Sequence, residues 1–238
     1  MTDHREPATK IPAMPFPFPI DGKFTVAAAA LLVIDMQIDF CADGGFMARS
    51  GADMSCLRAP IAPIQRVLAA SRAAGITVVY TREAFAPDLS NAQPHRLWRA
   101  EPGSIVVGDP GPAGRSLIAG EACTDVIPEL APLPSERIFD KPAYGAFHST
   151  GIHDYLRGAG LRQLIMTGVT TDCCIQSNTR EALDLGYETL VLEDCCGAGS
   201  RRLHDLSMGI LKRESGVFGA VSRSADFLAF LRDLAGGK

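Results

Sequence analysis

No run of basic residues interrupts the 238-residue chain, whose formal charge is −4 and whose pI is near 5.7. A nucleic acid or an acidic membrane surface needs a cationic stripe, so neither is an expected partner. No apolar stretch reaches the roughly 18 residues of a membrane span. The run AAAALLVIDM is too short and includes an acid. The start, MTDHREPATK, lacks the basic-then-apolar order of an export signal, which leads to the expectation of a cytoplasmic protein. The spaced cysteine pairs of a zinc site are missing too. The seven cysteines include two adjacent doublets, Cys173–Cys174 and Cys195–Cys196, and neighbouring thiols rarely chelate one ion. An odd count in a chain of this size speaks for reduced thiols rather than a disulfide frame. No glycine-rich loop follows the first strand signal, where DMQIDFCADGG offers only the late pair Gly44–Gly45. That argues against a nucleotide-binding α/β protein. There is no internal repeat and no low-complexity tract.

What is present is enough apolar sequence, 47% of residues, for one large core. A single domain is expected over residues 29–238, preceded by an arm over residues 1–28. In the arm, PAMPFPFPID alternates proline with phenylalanine, which predicts an extended segment whose rings dock on its own domain or on a second subunit. From residue 29 onward strand and helix signals alternate. AALLVIDM is a continuous apolar run, as in a strand buried on both faces. APIAPIQRVLAASRAAG has helical spacing at Ile64, Val67 and Leu68 and a stop at Gly75. The strand signals ITVVYT, ERIFD, LRQLIMTG, YETLVLED and GVFGAVS follow. The helix signals HDYLRGAG, DCCIQSNTREALDLG, RRLHDLSMGILKRES and SADFLAFLRDLA are interleaved with the later ones. Repeated βα units predict an α/β fold with a parallel sheet between two helix layers. Residues 84–134 break this rhythm with dense proline and glycine, as a binding loop does.

In such sheets, sites form beyond the carboxyl ends of the strands. Three strand ends carry reactive groups: Asp35, Lys141, and the doublet Cys173–Cys174. A helix start after LIMTG would stabilise a thiolate through its free N–H groups and partial positive charge. Thr171 or Asp172 is a suitable cap for that helix. A nearby lysine would favour the thiolate further, and Asp35 would take its proton and return it to a leaving amine. The N–H groups of the helix start would hold an oxyanion. This set suits acyl transfer through a thioester. Helical spacing does not separate Cys173 from Cys174, since either can face the strand ends.

In order and at these separations, LLVIDMQIDF, KPAYGAF and GVTTDCCIQSNTREALDLGY resemble the isochorismatase-like cysteine hydrolases over about residues 29–223. The resemblance implies a three-layer α/β/α fold with a six-stranded parallel sheet and an Asp–Lys–Cys triad. The family pattern ends Thr-Asp-x-Cys, so it makes Cys174 the nucleophile, Asp35 the proton shuttle and Lys141 the group that steadies both. It also implies a cis, non-proline peptide before Thr170, whose N–H would serve the oxyanion beside that of Cys174. A homodimer or homotetramer and the absence of any cofactor follow from the same likeness. Isochorismatases proper lack the cysteine, which this chain keeps. Nicotinamidases carry an Asp-x-His…His metal site after the second strand; TREAFAPDLSNAQPH has only the isolated His95, so no metal is expected.

Within the family, DMQIDFCADGGF, TREAFAPDL, VLEDCCGA and SGVFGAVS resemble the biuret and triuret hydrolases most. The expected function is therefore hydrolysis of a C–N bond in a small linear ureide or amide, with ammonia release. Phe40, Tyr144 and Glu214 fall at substrate-contacting positions of that subgroup. Glu214 stands where the subgroup has glutamine, and Tyr144 where it has lysine. Phe40 has a competing assignment as a core ring behind Asp35, and Trp98 either closes over the pocket or anchors its loop. The alternative substrate is a carboxylate-bearing amide such as ureidoacrylate, maleamate or an N-carbamoyl amino acid, which would need a cationic anchor from Arg82, Arg96 or Arg99. A relative that only binds a metabolite is the non-enzymatic alternative; its mark would be an unreactive Cys174.

Overall fold

The structure, a computed structural model, describes residues 9–236, the side chain of Glu214 excepted. Eight strands are present: β1 (Ala29–Ile34), β2 (Thr77–Glu83), β3 (Pro110–Gly111), β4 (Gly114–Arg115), β5 (Arg137–Lys141), β6 (Gln163–Val169), β7 (Glu188–Gly197) and β8 (Ala220–Ser222). The helices are α1 (Ile38–Cys41), α2 (Phe46–Arg49), α3 (Met54–Arg58), α4 (Ile61–Ala74), α5 (Ile152–Gly158), α6 (Gln176–Asp184), α7 (Arg201–Leu211) and α8 (Ser224–Gly236). Six strands form one parallel sheet in the order β5-β2-β1-β6-β7-β8, and β3 and β4 make a separate short hairpin.

Apolar periodicity explains the layers. All six residues of β1 are buried, because the strand is covered on both sides. Leu31 and Val33 pack toward Ile64, Val67 and Leu68 of α4 and Phe227 and Phe230 of α8. Ala30, Leu32 and Ile34 point the other way, toward Ile152 and Leu156 of α5, Ala182 of α6 and Met208 and Leu211 of α7. Helix α4 ends where expected, since Gly75 takes a left-handed φ of 80° that most side chains resist.

The strand order places the site. The chain runs outward from β1 through β2 to β5, then returns to the far side of β1 to begin β6. The direction of winding therefore reverses between β1 and β6, and a crevice opens at their carboxyl ends. At this seam the two backbones come very close. Gly168 has φ 117°, and a Cβ there would collide with the Ile34 carbonyl oxygen.

Two departures from the sequence-based expectation have local causes. The helix after β6 begins as a wide turn, Thr171–Ile175, before becoming α6. Neither Thr171 nor Asp172 caps it: Thr170 holds the cap position without a side-chain hydrogen bond, and the Thr171 hydroxyl lies 2.9 Å from His204 Nδ1 instead. The arm, described from residue 9, lies against its own domain. Phe18 and Ile11 are fully buried and pair as a short bridge. Phe24 packs edge-on to Phe230 at 5.3 Å, and the Ile20 N–H donates to Glu188 at 2.7 Å.

Residues 84–134 form a long connection with only isolated helical turns and the β3–β4 hairpin. Buried polar groups from the first motif tie it down. Asp39 accepts from the backbone N–H groups of Phe46 (3.1 Å) and Leu117 (2.7 Å). Gln37 donates to the carbonyls of Glu83 and Thr124, both at 3.0 Å. These two residues of DMQIDF thus hold the loop against the carboxyl edge of the sheet. No helix of the described residues is long and apolar enough to cross a membrane.

Candidate active site

Four adjacent strands each present one polar group at their carboxyl ends. From the sheet edge inward these are Lys141 at the end of β5, Glu83 at the end of β2, Asp35 just after β1, and Cys174 in the turn after β6. The register puts Glu83 directly beside Lys141. Asp35 leaves the strand direction with φ 53°, a left-handed conformation that aspartate tolerates better than most residues. All four side chains are buried.

Lys141 is the hub. Its Nζ stands 2.7 Å from Asp35 Oδ2, 3.6 Å from Cys174 Sγ and 3.8 Å from Glu83 Oε2, and it donates to the Ala143 carbonyl at 2.9 Å. Asp35 Oδ1 accepts from the Thr81 hydroxyl at 2.7 Å. Cys174 Sγ donates to Glu83 Oε2 at 3.7 Å, and Glu83 Oε1 is held by Arg96 at 2.9 Å. Two carboxylates thus face two cations, which satisfies the rule that buried charges are paired.

These contacts set the protonation states. Burial works against the charge of Lys141, but Asp35, Cys174 and Glu83 outweigh it and hold the ammonium protonated well above the usual lysine range. Burial raises the Glu83 carboxyl, with Lys141 and then Arg96 opposing. The Cys174 thiol is pushed well above its usual range, first by contact with Cys173 and then by burial; Lys141 opposes and both carboxylates add to the rise. The lysine therefore does favour a thiolate, as expected, but the balance keeps Cys174 a thiol at rest. The contact with Cys173 and burial, the two largest influences, together with the carboxylates outweigh what Lys141 contributes.

The ligand atoms of Asp35, Glu83 and Cys174 lie within 4.8 Å of one another. The Lys141 ammonium already stands among them, in the place a metal cation would take. His95 sits in the long loop near Tyr144, with ring centroids 6.5 Å apart, and has no partner histidine there.

Over the sulfur lies a cavity of about 150 Å³. Phe40, Phe46, Met47, Val107 and Leu117 make its apolar wall; Glu83, Arg96, Arg99, Tyr144, Thr170, Cys173 and Cys174 complete it. Phe40 is both buried and part of this wall. Arg96 is only 3% exposed. Its guanidinium lies 3.4 Å above the Tyr144 ring, and its Nε has no hydrogen-bond partner. Arg99 is half-buried and donates only to the carbonyls of His95 and Trp98. Arg82 is not at the site: it is bound to Asp140 and Asp125 on the outer side of the sheet edge. Trp98 is 66% exposed and neither closes the cavity nor anchors the loop. The Val169–Thr170 peptide is cis, and Cys174 lies in the first turn, where helix N–H groups lack intrahelical acceptors.

The structure thus brings Asp35, Lys141, Cys174, Thr170, Phe40 and Tyr144 together. It does not bring Glu214. Its backbone lies in the turn between α7 and β8, at the amino end of the sheet, away from the strand ends that carry Cys174; its side chain is outside the described residues. Two site residues, Glu83 and the buried Arg96 paired with it, were missed as a unit. The signal for Glu83 was available: the strand ITVVYT runs two residues further, and its last residue is a carboxylate.

Known proteins resemble this chain along most of its length. An isochorismatase domain matches residues 29–226. The ureidoacrylate amidohydrolase RutB of Pantoea ananatis is 34% identical over 178 residues, which cover 72% of this chain and 70% of that protein. The protein of the same name from Caulobacter vibrioides is 30% identical over 236 residues, covering 95% of this chain and 100% of its own. A cysteine hydrolase from Pseudomonas syringae pv. phaseolicola shares the fold with a TM-score of 0.75 at 24% identity, over 93% of this chain and 97% of that one. The N-carbamoylsarcosine amidase of Thermoplasma acidophilum does so with a TM-score of 0.62 at 23% identity, over 82% and 96%.

Proposed function

The chain belongs to the isochorismatase family, and from that premise we propose that it is a cysteine-dependent amidohydrolase acting on a small linear amide or ureide that bears a carboxylate. The reaction is hydrolysis of a C–N bond other than a peptide bond. Cys174 adds to the carbonyl carbon, ammonia or an amine leaves, and water releases the acyl or carbamoyl group from sulfur. Asp35 takes the thiol proton and returns it to the leaving nitrogen, and Lys141 stabilises the thiolate and holds Asp35 in place. The N–H groups of Thr170 and Cys174 receive the oxyanion.

The observation that carries the carboxylate is the cation pair on the cavity wall. Arg99 has no acidic partner among the described residues, and Arg96 keeps a buried Nε without an acceptor. A substrate carboxylate would satisfy both, while the apolar side around Phe40 covers a short carbon chain. The relatives named ureidoacrylate amidohydrolase support the same reading. This shifts weight from the biuret or triuret substrate toward what the sequence offered as its alternative. The neutral ureide keeps one observation in its favour: Glu83 already offsets the charge of Arg96 in a cavity of about 150 Å³. A cytoplasmic location and the homodimer or homotetramer implied by the resemblance belong to the same proposal.

Ammonia release decides between the substrates. Ureidoacrylate, maleamate and N-carbamoyl amino acids are compared with biuret and triuret, using native enzyme, Cys174→Ala and Arg99→Gln. A carboxylate-bearing substrate is expected to be preferred in kcat/KM. Arg99→Gln should erase about tenfold or more of that preference, the scale of one charge-assisted hydrogen bond. Cys174→Ala should turn over nothing. Biuret or triuret turned over best, with Arg99→Gln unchanged, would return the substrate to the neutral ureides.

A further inference from the structure

A second opening lies beside the catalytic cavity. It is a wider groove of about 530 Å³, with α2 and the turn after it on one side and the long loop at residues 99–105 on the other. Phe46, Met47 and Arg99 line both the cavity and the groove, so the two spaces adjoin. Phe46 is buried, whereas Met47 is half-buried and unbranched, which makes it the adaptable part of the shared wall.

The groove is one-sided in charge. Two guanidiniums, Arg49 and Arg99, face it, and no acidic residue does. Arg49 is held in advance. Its Nη1 donates to the buried Ser116 hydroxyl at 3.0 Å. It also packs against the β3–β4 hairpin, where a Cβ on Gly111 would come within 2.6 Å of Nη1. Yet Arg49 makes no ion pair among the described residues. The carboxylate that acts on it, Asp39, already accepts from the backbone N–H groups of Phe46 and Leu117. Arg49 therefore keeps donors free in a fixed place. A guanidinium held that way matches the two oxygens of a carboxylate. One such group beyond the shared Arg99 suits a single negative charge better than a doubly charged phosphate.

We infer that this groove is an outer subsite for a second carboxylate, so that the substrates include ureido or amido dicarboxylates whose distal acid pairs with Arg49. The inference rests on the proposed preference for a carboxylate-bearing substrate. The near carboxylate lies between Arg96 and Arg99, and the chain passes Phe46 and Met47 to bring the distal one to Arg49. Fixing Arg49 through Ser116 lowers the ordering cost of that contact.

The test compares N-carbamoyl-aspartate and N-carbamoyl-glutamate with their uncharged counterparts N-carbamoyl-asparagine and N-carbamoyl-glutamine, and with N-carbamoylglycine and biuret. Binding is read by calorimetry on Cys174→Ala protein, and kcat/KM by ammonia release from protein with Cys174 intact. Each is measured with Arg49 kept, with Arg49→Gln and with Arg49→Lys. The dicarboxylate should exceed its uncharged counterpart about tenfold or more in both readouts, the scale of one charge-assisted hydrogen bond. Arg49→Gln should abolish that difference, and Arg49→Lys, which keeps the charge without the fork, should retain part of it. The ratio compares two ligands on one protein, so a loss of folded protein does not change it. Equal affinity for dicarboxylate and uncharged counterpart, a difference that survives Arg49→Gln, or no binding of either dicarboxylate would overturn the inference. Biuret preferred over N-carbamoylglycine would instead overturn the proposed function; an Arg49-dependent difference found beside it would leave the groove standing without the near anchor.

Discussion

Cys174 is set apart from Cys173 by its surroundings, since both line the cavity. Cys174 alone faces the Lys141 ammonium and the Glu83 carboxylate. The sequence left the two thiols equivalent, and a family pattern was needed to choose between them. Arg96 shows the same principle with a sign that can be worked out. Glu83 must be ionised to pair with Arg96 and Lys141, so the ordered site is present above its folded-state pKa and lost as pH falls through it. Burial places that pKa above the ordinary value of 4.5, and Arg96 pulls it back down. Arg96→Gln removes the pull, so the acid limb of kcat/KM should move to higher pH. A limb that stays in place, or moves to lower pH, would show that Arg96 does not control Glu83.

At the scale of elements, the seam between β1 and β6 decides whether a site exists. The two strands lie side by side although about 130 residues separate them along the chain, and both Asp35 and Thr170 follow directly from their ends. Gly168 is the closest point of the seam. A side chain there meets backbone, which cannot rotate away, and its φ of 117° resists any L residue. Gly168→Ala should destabilise the fold by about 3 kcal/mol or more, read as a lowered Tm with activity lost in proportion to unfolding. An unchanged Tm would mean the seam has room that the backbone positions deny. The periodicity of these elements was legible because β1 and β6 are buried along their whole length, unlike the largely exposed edge strand β5. Their exact ends were less so. Strand β2 extends to Glu83 and β7 to Gly197, beyond the apolar runs that announced them, because backbone pairing continues after the hydrophobic pattern stops.

Across the whole molecule, the arm is part of the core. Ile11, Phe18 and Phe24 are buried against the body of the domain, and burial of such side chains stabilises by about 1.5–3 kcal/mol each. Removal of residues 1–24 should therefore lower Tm markedly, or leave the chain insoluble. A truncated chain with native Tm and native turnover would show that the arm's contacts add nothing to the free energy of folding.

Local chemistry made the alternation of strands and helices, the apolar faces, the helix stop at Gly75 and the reactive groups at three strand ends readable in the linear chain. Each depends on residue type and on neighbours a few positions away. The pairing of Glu83 with Arg96 across a loop, the choice between two adjacent thiols, the removal of Arg82 from the site and the placement of Glu214 at the opposite end of the sheet were not readable. Those depend on strand order and on distances between segments tens of residues apart, which no local pattern encodes. The charge balance at Cys174 belongs to the same class, because a buried thiol takes its proton affinity from every charge within a few ångströms, wherever in the chain that charge began.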